Sequence, residues 1–196
     1  MIAMPFMQSL PLEIFVFLLA LCDVGDLYSI SLVNYSFESA SRERRRAISN
    51  IRGSPFNIQK PISNLNAINL SGLVCGDDGI MSLANAFTNG ALPALVELDL
   101  SFNQIGDVGL NFLATCIKGA LPKLEKLFLH QNSIGNAGLS ALASACAMGA
   151  LANCRILALG GNKICDAGVI ALSDSLSRGA MAGLRDLRLY SNQIGD

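Results

Sequence analysis

The chain has 196 residues, 52% of them hydrophobic and 15% charged, which is too apolar for a disordered polypeptide. Fourteen basic residues nearly cancel fifteen acidic ones, so no strong overall field for nucleic acid or a membrane surface is expected. A chain of this length holds one or two domains. In chain order, the first apolar run is Ile14 to Cys22, nine residues between Glu13 and Asp23. A membrane-spanning helix needs about 20. No Lys or Arg precedes Arg42, so the run also lacks the positive flank of a signal peptide. It reads as a short helix opened by Pro11, whose missing N–H costs nothing in a first turn. Ile14, Phe17, Leu18 and Leu21 share one face, and Phe15, Val16 and Leu19 cover the others, so this helix has more than one apolar partner. Asp23 and Gly25 end it. Asp26 then N-caps a second helix with Leu27, Ile30, Ser31, Asn34 and Phe37 at helical spacing. The basic cluster Ser41 to Arg46 reads as a solvated helix end, where arginines suit the helix dipole. Residues 50–64, with Gly53, Pro55 and Pro61, form a connector.

Leu10-Pro11-Leu12-Glu13-Ile14, Asp26-Leu27, Ile30-Ser31-Leu32-Val33 and Phe37 together resemble an F-box. That family's pattern is L-P-x-E-I/L, an apolar helix, D-L, L-S-L-V and a following aromatic. The resemblance implies a small all-α segment over residues 1–49 that docks on a Skp-type adaptor. The expected adaptor-binding face includes Leu10, Pro11, Ile14, Leu27 and Val33, because a short helical pair cannot hide this much apolar surface within itself.

From residue 65 onward one pattern returns every 29 or 30 residues. Leu95-x-x-Leu98-x-Leu100-x-x-Asn103-x-Ile105 is followed by Leu124-x-x-Leu127-x-Leu129-x-x-Asn132-x-Ile134. Copies beginning at Cys154 and Leu184 come next, and a weaker copy begins at Leu65. A fixed period of this length marks a solenoid. Three apolar residues point inward from a short strand, and the asparagine closes the turn by bonding backbone groups that would otherwise be buried unpaired. Stacked asparagines should form a ladder.

Each copy continues with G-D/N-x-G and an alanine-rich stretch. Asp77, Asp107, Asn136 and Asp166 are expected to be helix N-caps, and Gly90, Gly119, Gly149 and Gly179 to mark helix C-termini. Ala84, Ala114, Ala143 and Ala171 should let neighbouring helices pack closely. The pattern resembles a leucine-rich repeat, and its strand-plus-helix form resembles the ribonuclease-inhibitor-like class. The resemblance implies a right-handed α/β solenoid over residues 65–196, four full repeats and a truncated fifth, with short parallel strands on the concave side and helices on the convex side. The class describes architecture, not inhibition of a ribonuclease. The last copy stops where its helix should begin, so the C-terminal end is expected to be covered by missing repeats or another chain, leaving Val169, Leu172 and Leu176 exposed on an isolated monomer.

Strand alternation puts three rows of side chains on the concave face. They are Ala67, Glu97, Lys126, Ile156 and Asp186; Asn69, Asp99, Phe128, Ala158 and Arg188; and Ser71, Ser101, His130, Gly160 and Tyr190. Glu97, Asp99, Lys126, Phe128, His130, Arg188 and Tyr190 are the candidate partner-binding residues, since aromatics and arginine beside charges are what recognition surfaces use. Ala158, Gly160 and Gly161 should leave the fourth repeat smooth, so that a partner would have to span it.

Chemistry-bearing motifs are lacking. His130 is the only histidine and has no serine or carboxylate motif at a catalytic spacing. The cysteines at 22, 75, 116, 146, 154 and 165 lack C-x-x-C spacing, and several occupy core slots as small hydrophobes. Reduced thiols are expected, and with them a cytoplasmic or nuclear location. Gly160-Gly161-Asn162-Lys163 lacks the spacing of a phosphate loop and the Ser or Thr after its lysine. No catalysis, cofactor or metal is expected. Together the two resemblances imply an F-box-type substrate receptor of a cullin–RING ubiquitin ligase, with a Skp-type adaptor and a substrate protein as partners and no role for nucleic acid or membrane. The alternatives are a scaffold or sensor without a ligase role, or a GTPase activator resembling Ran GTPase-activating proteins.

Overall fold

The computed structural model of the chain describes residues 66–72, 76–88 and 92–195. The F-box-like segment with Leu10, Pro11, Ile14, Leu27 and Val33 lies outside the described residues, as do the connector, Cys75 and Gly90. Strands and helices alternate: β1 Ala67–Asn69, α1 Gly76–Thr88, β2 Glu97–Asp99, α2 Asp107–Ala120, β3 Lys126–Phe128, α3 Asn136–Ala147, β4 Ile156–Ala158, α4 Asp166–Ser177 and β5 Asp186–Arg188. The strands form one parallel sheet in chain order. Its register stacks Ile68, Leu98, Leu127, Leu157 and Leu187 in a single row.

Alternation along each strand explains the core. Leu98, Leu127 and Leu157 are fully buried, and so are Leu95, Leu100, Leu124, Leu129 and Leu159 on either side of them. Cys154 fills a leucine slot and is equally buried. The helices pack in series, α1 on α2, α2 on α3 and α3 on α4. Ala84, Ala114 and Ala143 are buried, as their small size predicts. Ser175 Oγ donates to the Ala143 carbonyl at 2.8 Å, which ties α4 to α3. Gly119, Gly149 and Gly179 have φ of +83°, +95° and +90°, the left-handed turn that ends a helix at low cost for glycine. In α2 the regular helix stops before Lys118 and Gly119, which leave helical geometry.

The expected asparagine ladder is present. Asn132 Oδ1 accepts the N–H groups of Asn103 and Ile105, both at 3.0 Å. Its Nδ2 donates to the carbonyls of Leu100 and Leu129 at 3.0 and 3.1 Å. Asn162 and Asn192 make equivalent bonds one and two repeats later, accepting from Ile134 and Ile164. Backbone groups that a solenoid turn leaves buried are therefore paired by the side chain of the following repeat.

The expected N-caps need correcting. Gly106, Gly135 and Cys165 occupy the N-cap positions of α2, α3 and α4 and offer no side-chain bond there. Asp107, Asn136 and Asp166 lie inside the first turn, and they cap the next repeat in place of their own. Asp107 Oδ1 accepts from the N–H groups of Gly135 and Gly138 at 2.7 and 2.9 Å. Asn136 Oδ1 does the same for Cys165 and Gly168 at 2.8 and 3.1 Å. Asp77 accepts from Gly106 at 2.7 Å and Asp166 from Gly195 at 2.8 Å. This accounts for the second glycine of G-D/N-x-G. A Cβ on Gly138 would stand 2.7 Å from Asp107 Oδ1, and one on Gly168 would stand 2.8 Å from Asn136 Oδ1.

Cys116, Cys146 and Cys154 are buried free thiols, as core slots predict, and Cys165 is a half-buried one. Burial pushes Cys146 up to about 12 and Cys154 up to about 11, so neither offers a reactive thiolate near neutral pH. Among the described residues no helix is long and apolar enough to cross a membrane.

β5 lies at the sheet edge, where Leu184, Leu187 and Leu189 are half-buried although their counterparts in β2 and β3 are fully covered. Val169 and Leu176 are also half-buried, but Leu172, expected to be exposed, is covered. Amide hydrogen exchange should accordingly be much faster over residues 166–195 than over 95–150, since local opening follows loss of buried apolar contact. Equal protection of the two segments in a dilute monomer would contradict this.

Candidate functional site

The side chains that alternate with the buried leucines form the second face of the sheet. Glu97, Asp99, Lys126, Phe128, Asp186 and Arg188 stand on it, with His130 and Tyr190 just beyond the strand ends. Two of its cations are already neutralised. Lys126 Nζ lies 2.9 Å from Glu97 Oε2 on the neighbouring strand. Arg188 holds Asp186 with two bonds, Nε at 2.9 Å and Nη2 at 2.6 Å. That hydrogen bond keeps the Asp186 carboxyl below the usual carboxylate range and raises the Arg188 guanidinium. Exposed pairs of this kind contribute roughly 0–1 kcal/mol each, so their main effect is on the charge the face presents. Asp99 makes no ion pair among the described residues; its Oδ1 accepts the Ser101 N–H at 2.9 Å.

The aromatic residues form one cluster. Phe128 and His130 stack with ring centroids 6.2 Å apart, and His130 and Tyr190 stack at 5.6 Å. Tyr190 OH lies 3.3 Å from His130 Nδ1. The expected gap between the third and fifth repeats is therefore closed. Tyr190 lies across Gly160, where a Cβ would stand 2.6 Å from its ring carbon Cζ. The Gln131 side chain likewise covers Gly161. Small residues in the fourth repeat thus make room for side chains from both sides. Three residues of the outward rows, Ser101, Ala158 and Gly160, are buried and present no surface to a partner.

Phe102 was not expected on this surface. It is 57% exposed and adopts φ +60°, with its N–H bonded to the His130 carbonyl at 2.9 Å. The equivalent turn position holds Gly72, Gln131, Gly161 and Ser191, all at positive φ. A bulky aromatic in the left-handed region costs about 1–2 kcal/mol. Its only legible signal is an aromatic at a slot where the other copies carry glycine or a polar residue.

Burial, then the Arg188 charge, push the His130 imidazole below its ordinary 6.5, against the opposing pull of Asp99 and Asp186. Neutral His130 can accept the Tyr190 O–H at Nδ1. As the chain's one histidine, it gives an unambiguous proton NMR titration, with a midpoint expected below 6.5 that rises when Arg188→Ala removes the repelling cation. The unfolded chain binds this proton more readily, so the contribution of His130 to stability is complete above 6.5 and declines as pH falls from there through the lowered folded value. A midpoint at or above 6.5 would contradict the assigned environment.

No group of three or more His, Cys, Asp or Glu among the described residues could hold a metal ion.

The family model described as Leucine Rich repeat matches residues 92–114, 120–143 and 155–173. No curated protein matches the chain. Among solved structures, an internalin from Listeria monocytogenes is similar at 16% sequence identity and a TM-score of 0.34, over 69% of this chain and 44% of that one. The matched stretches are leucine-rich repeats, and in the fold they coincide with alternating parallel strands and helices. The chain carries at least three such repeats by sequence.

Proposed function

We propose that this chain is a non-catalytic substrate-recognition subunit of a cullin–RING ubiquitin ligase. Residues 1–49 act as the F-box-like segment and hold a Skp-type adaptor through Leu10, Pro11, Ile14, Leu27 and Val33. The leucine-rich repeats capture a substrate protein, and catalysis belongs to other subunits of the complex. The observation that carries the binding role is the continuous Phe128–His130–Tyr190 stack on a sheet face where Tyr190 is 58% exposed. Exposed aromatics beside charged residues are the groups from which binding hot spots are built. The ligase role rests on the in-register F-box-like residues between Leu10 and Phe37. The helices of 12 to 14 residues after β2, β3 and β4 support the ribonuclease-inhibitor-like form of the repeat. A cytoplasmic or nuclear site of action goes with this reading.

The test is co-purification of the full chain with a Skp-type adaptor. Wild type should retain the adaptor, and Leu10→Ala with Pro11→Ala should lose it while the circular dichroism of the repeats stays unchanged. Adaptor binding absent from wild type, or unaffected by the double substitution, would leave a scaffold without a ligase role. Stimulated GTP hydrolysis by a small GTPase would favour an activator.

A further inference from the structure

Charge on the sheet face is unevenly balanced around the aromatic stack. Lys126 is held by Glu97 and Arg188 by Asp186, so each cation of the face has its own carboxylate. Asp99 is the carboxylate left over, and it pairs in register with Phe128, at one end of the stack. It is half-buried, and its bond to the Ser101 N–H uses only Oδ1, leaving lone pairs on both oxygens. On the far side, Tyr190 and His130 continue the aromatic wall that Phe128 begins.

We propose that Asp99, with the Phe128–His130–Tyr190 wall beside it, is the recognition point for a lysine or arginine side chain of the bound protein. A carboxylate supplies the charge-assisted acceptor for an ammonium or guanidinium group. Aromatic faces supply the flanking surface, since a cation is attracted to the negative face of a ring. Among the described residues, the neighbouring ion pairs leave no free cation on the face to compete for Asp99. Lys126, on the neighbouring strand, is held by Glu97 Oε2, and Arg188 is held by Asp186, whose Oδ2 accepts from both Nε and Nη2. Acidic side chains of a partner would meet an unscreened carboxylate and be rejected. The inference rests on the protein-binding reading of this face and adds the chemistry of what is bound.

The test uses the full chain and two pentapeptides of four glycines around one central residue, arginine in one and glutamate in the other. The imidazole proton signals of His130 report binding. The arginine peptide should shift them saturably at millimolar concentration, and the glutamate peptide should not. Asp99→Asn keeps the Oδ1 that accepts from Ser101, so the fold is retained. It should weaken the arginine peptide by roughly tenfold, the value of a hydrogen bond to a charged group. Phe128→Ala should weaken it less. Equal affinity for the two peptides, no saturable shift, or an unchanged affinity in Asp99→Asn would overturn the proposal. Failure of the broader reading looks different. If a captured partner is lost on Phe128→Ala with Tyr190→Ala but kept by Asp99→Asn, the face still binds protein and only the cation site falls. If neither change affects the partner, the face itself is not the binding surface.

Discussion

Asn132→Ala should destabilise the repeats by on the order of 3–5 kcal/mol. The side chain serves five backbone groups at once: the N–H groups of Asn103 and Ile105 and the carbonyls of Leu100, Leu129 and His130. Leu129 keeps a bond from Asn162 Nδ2 and His130 one from the Phe102 N–H, so the loss falls mainly on the other three. Each buried group left without its partner costs about 1–3 kcal/mol. A domain's whole stability is roughly 5–15 kcal/mol, so this single change removes a large share of it. Lys126→Ala, which removes only the surface pair with Glu97, should cost less than about 1 kcal/mol. Urea unfolding of the two variants measures the contrast. If Asn132→Ala proved no worse than Lys126→Ala, the ladder would not be what holds the turns.

The second large effect is on binding. Phe128→Ala and Tyr190→Ala should each weaken partner binding by about 2 kcal/mol or more, because both belong to one stack through His130. Their effects should also be non-additive, since removing either ring loosens His130 and the other, and residues in contact couple by about 0.5–3 kcal/mol. Melting temperature should change little, as Phe128 is only half-buried and Tyr190 is exposed. A double-mutant cycle by calorimetry checks this. Strict additivity would mean that the rings act as separate contacts on either side of the fourth repeat.

The repeat was legible because its slots are constrained by burial. Leu98, Leu127 and Leu157 must point inward at every turn, and Asn103, Asn132 and Asn162 must satisfy the same backbone groups each time. What escaped notice depended on contacts between repeats. Asp107 has the residue type of an N-cap, and cap preference is a local rule, but its bonds reach Gly135 and Gly138 in the next repeat. Gly160 read as smoothness because a missing side chain says nothing about what fills its place, and Tyr190 fills it. Ser101 counted as outward by alternation, yet its neighbours cover it. Phe102 lies one residue past the last outward position, in a left-handed turn that strand alternation does not describe. The F-box-like residues from Leu10 to Phe37 were read from motif spacing alone.

The central claim is that one protein binds through two separable surfaces, and quantitative affinity purification of three full-length forms tests it most directly. The forms are wild type, Leu10→Ala with Pro11→Ala, and Phe128→Ala with Tyr190→Ala. The account predicts that the first pair of changes removes the Skp-type adaptor and leaves the substrate protein bound. The second pair should remove the substrate protein and leave the adaptor. Recovery of the same proteins in the same amounts with all three forms would contradict it.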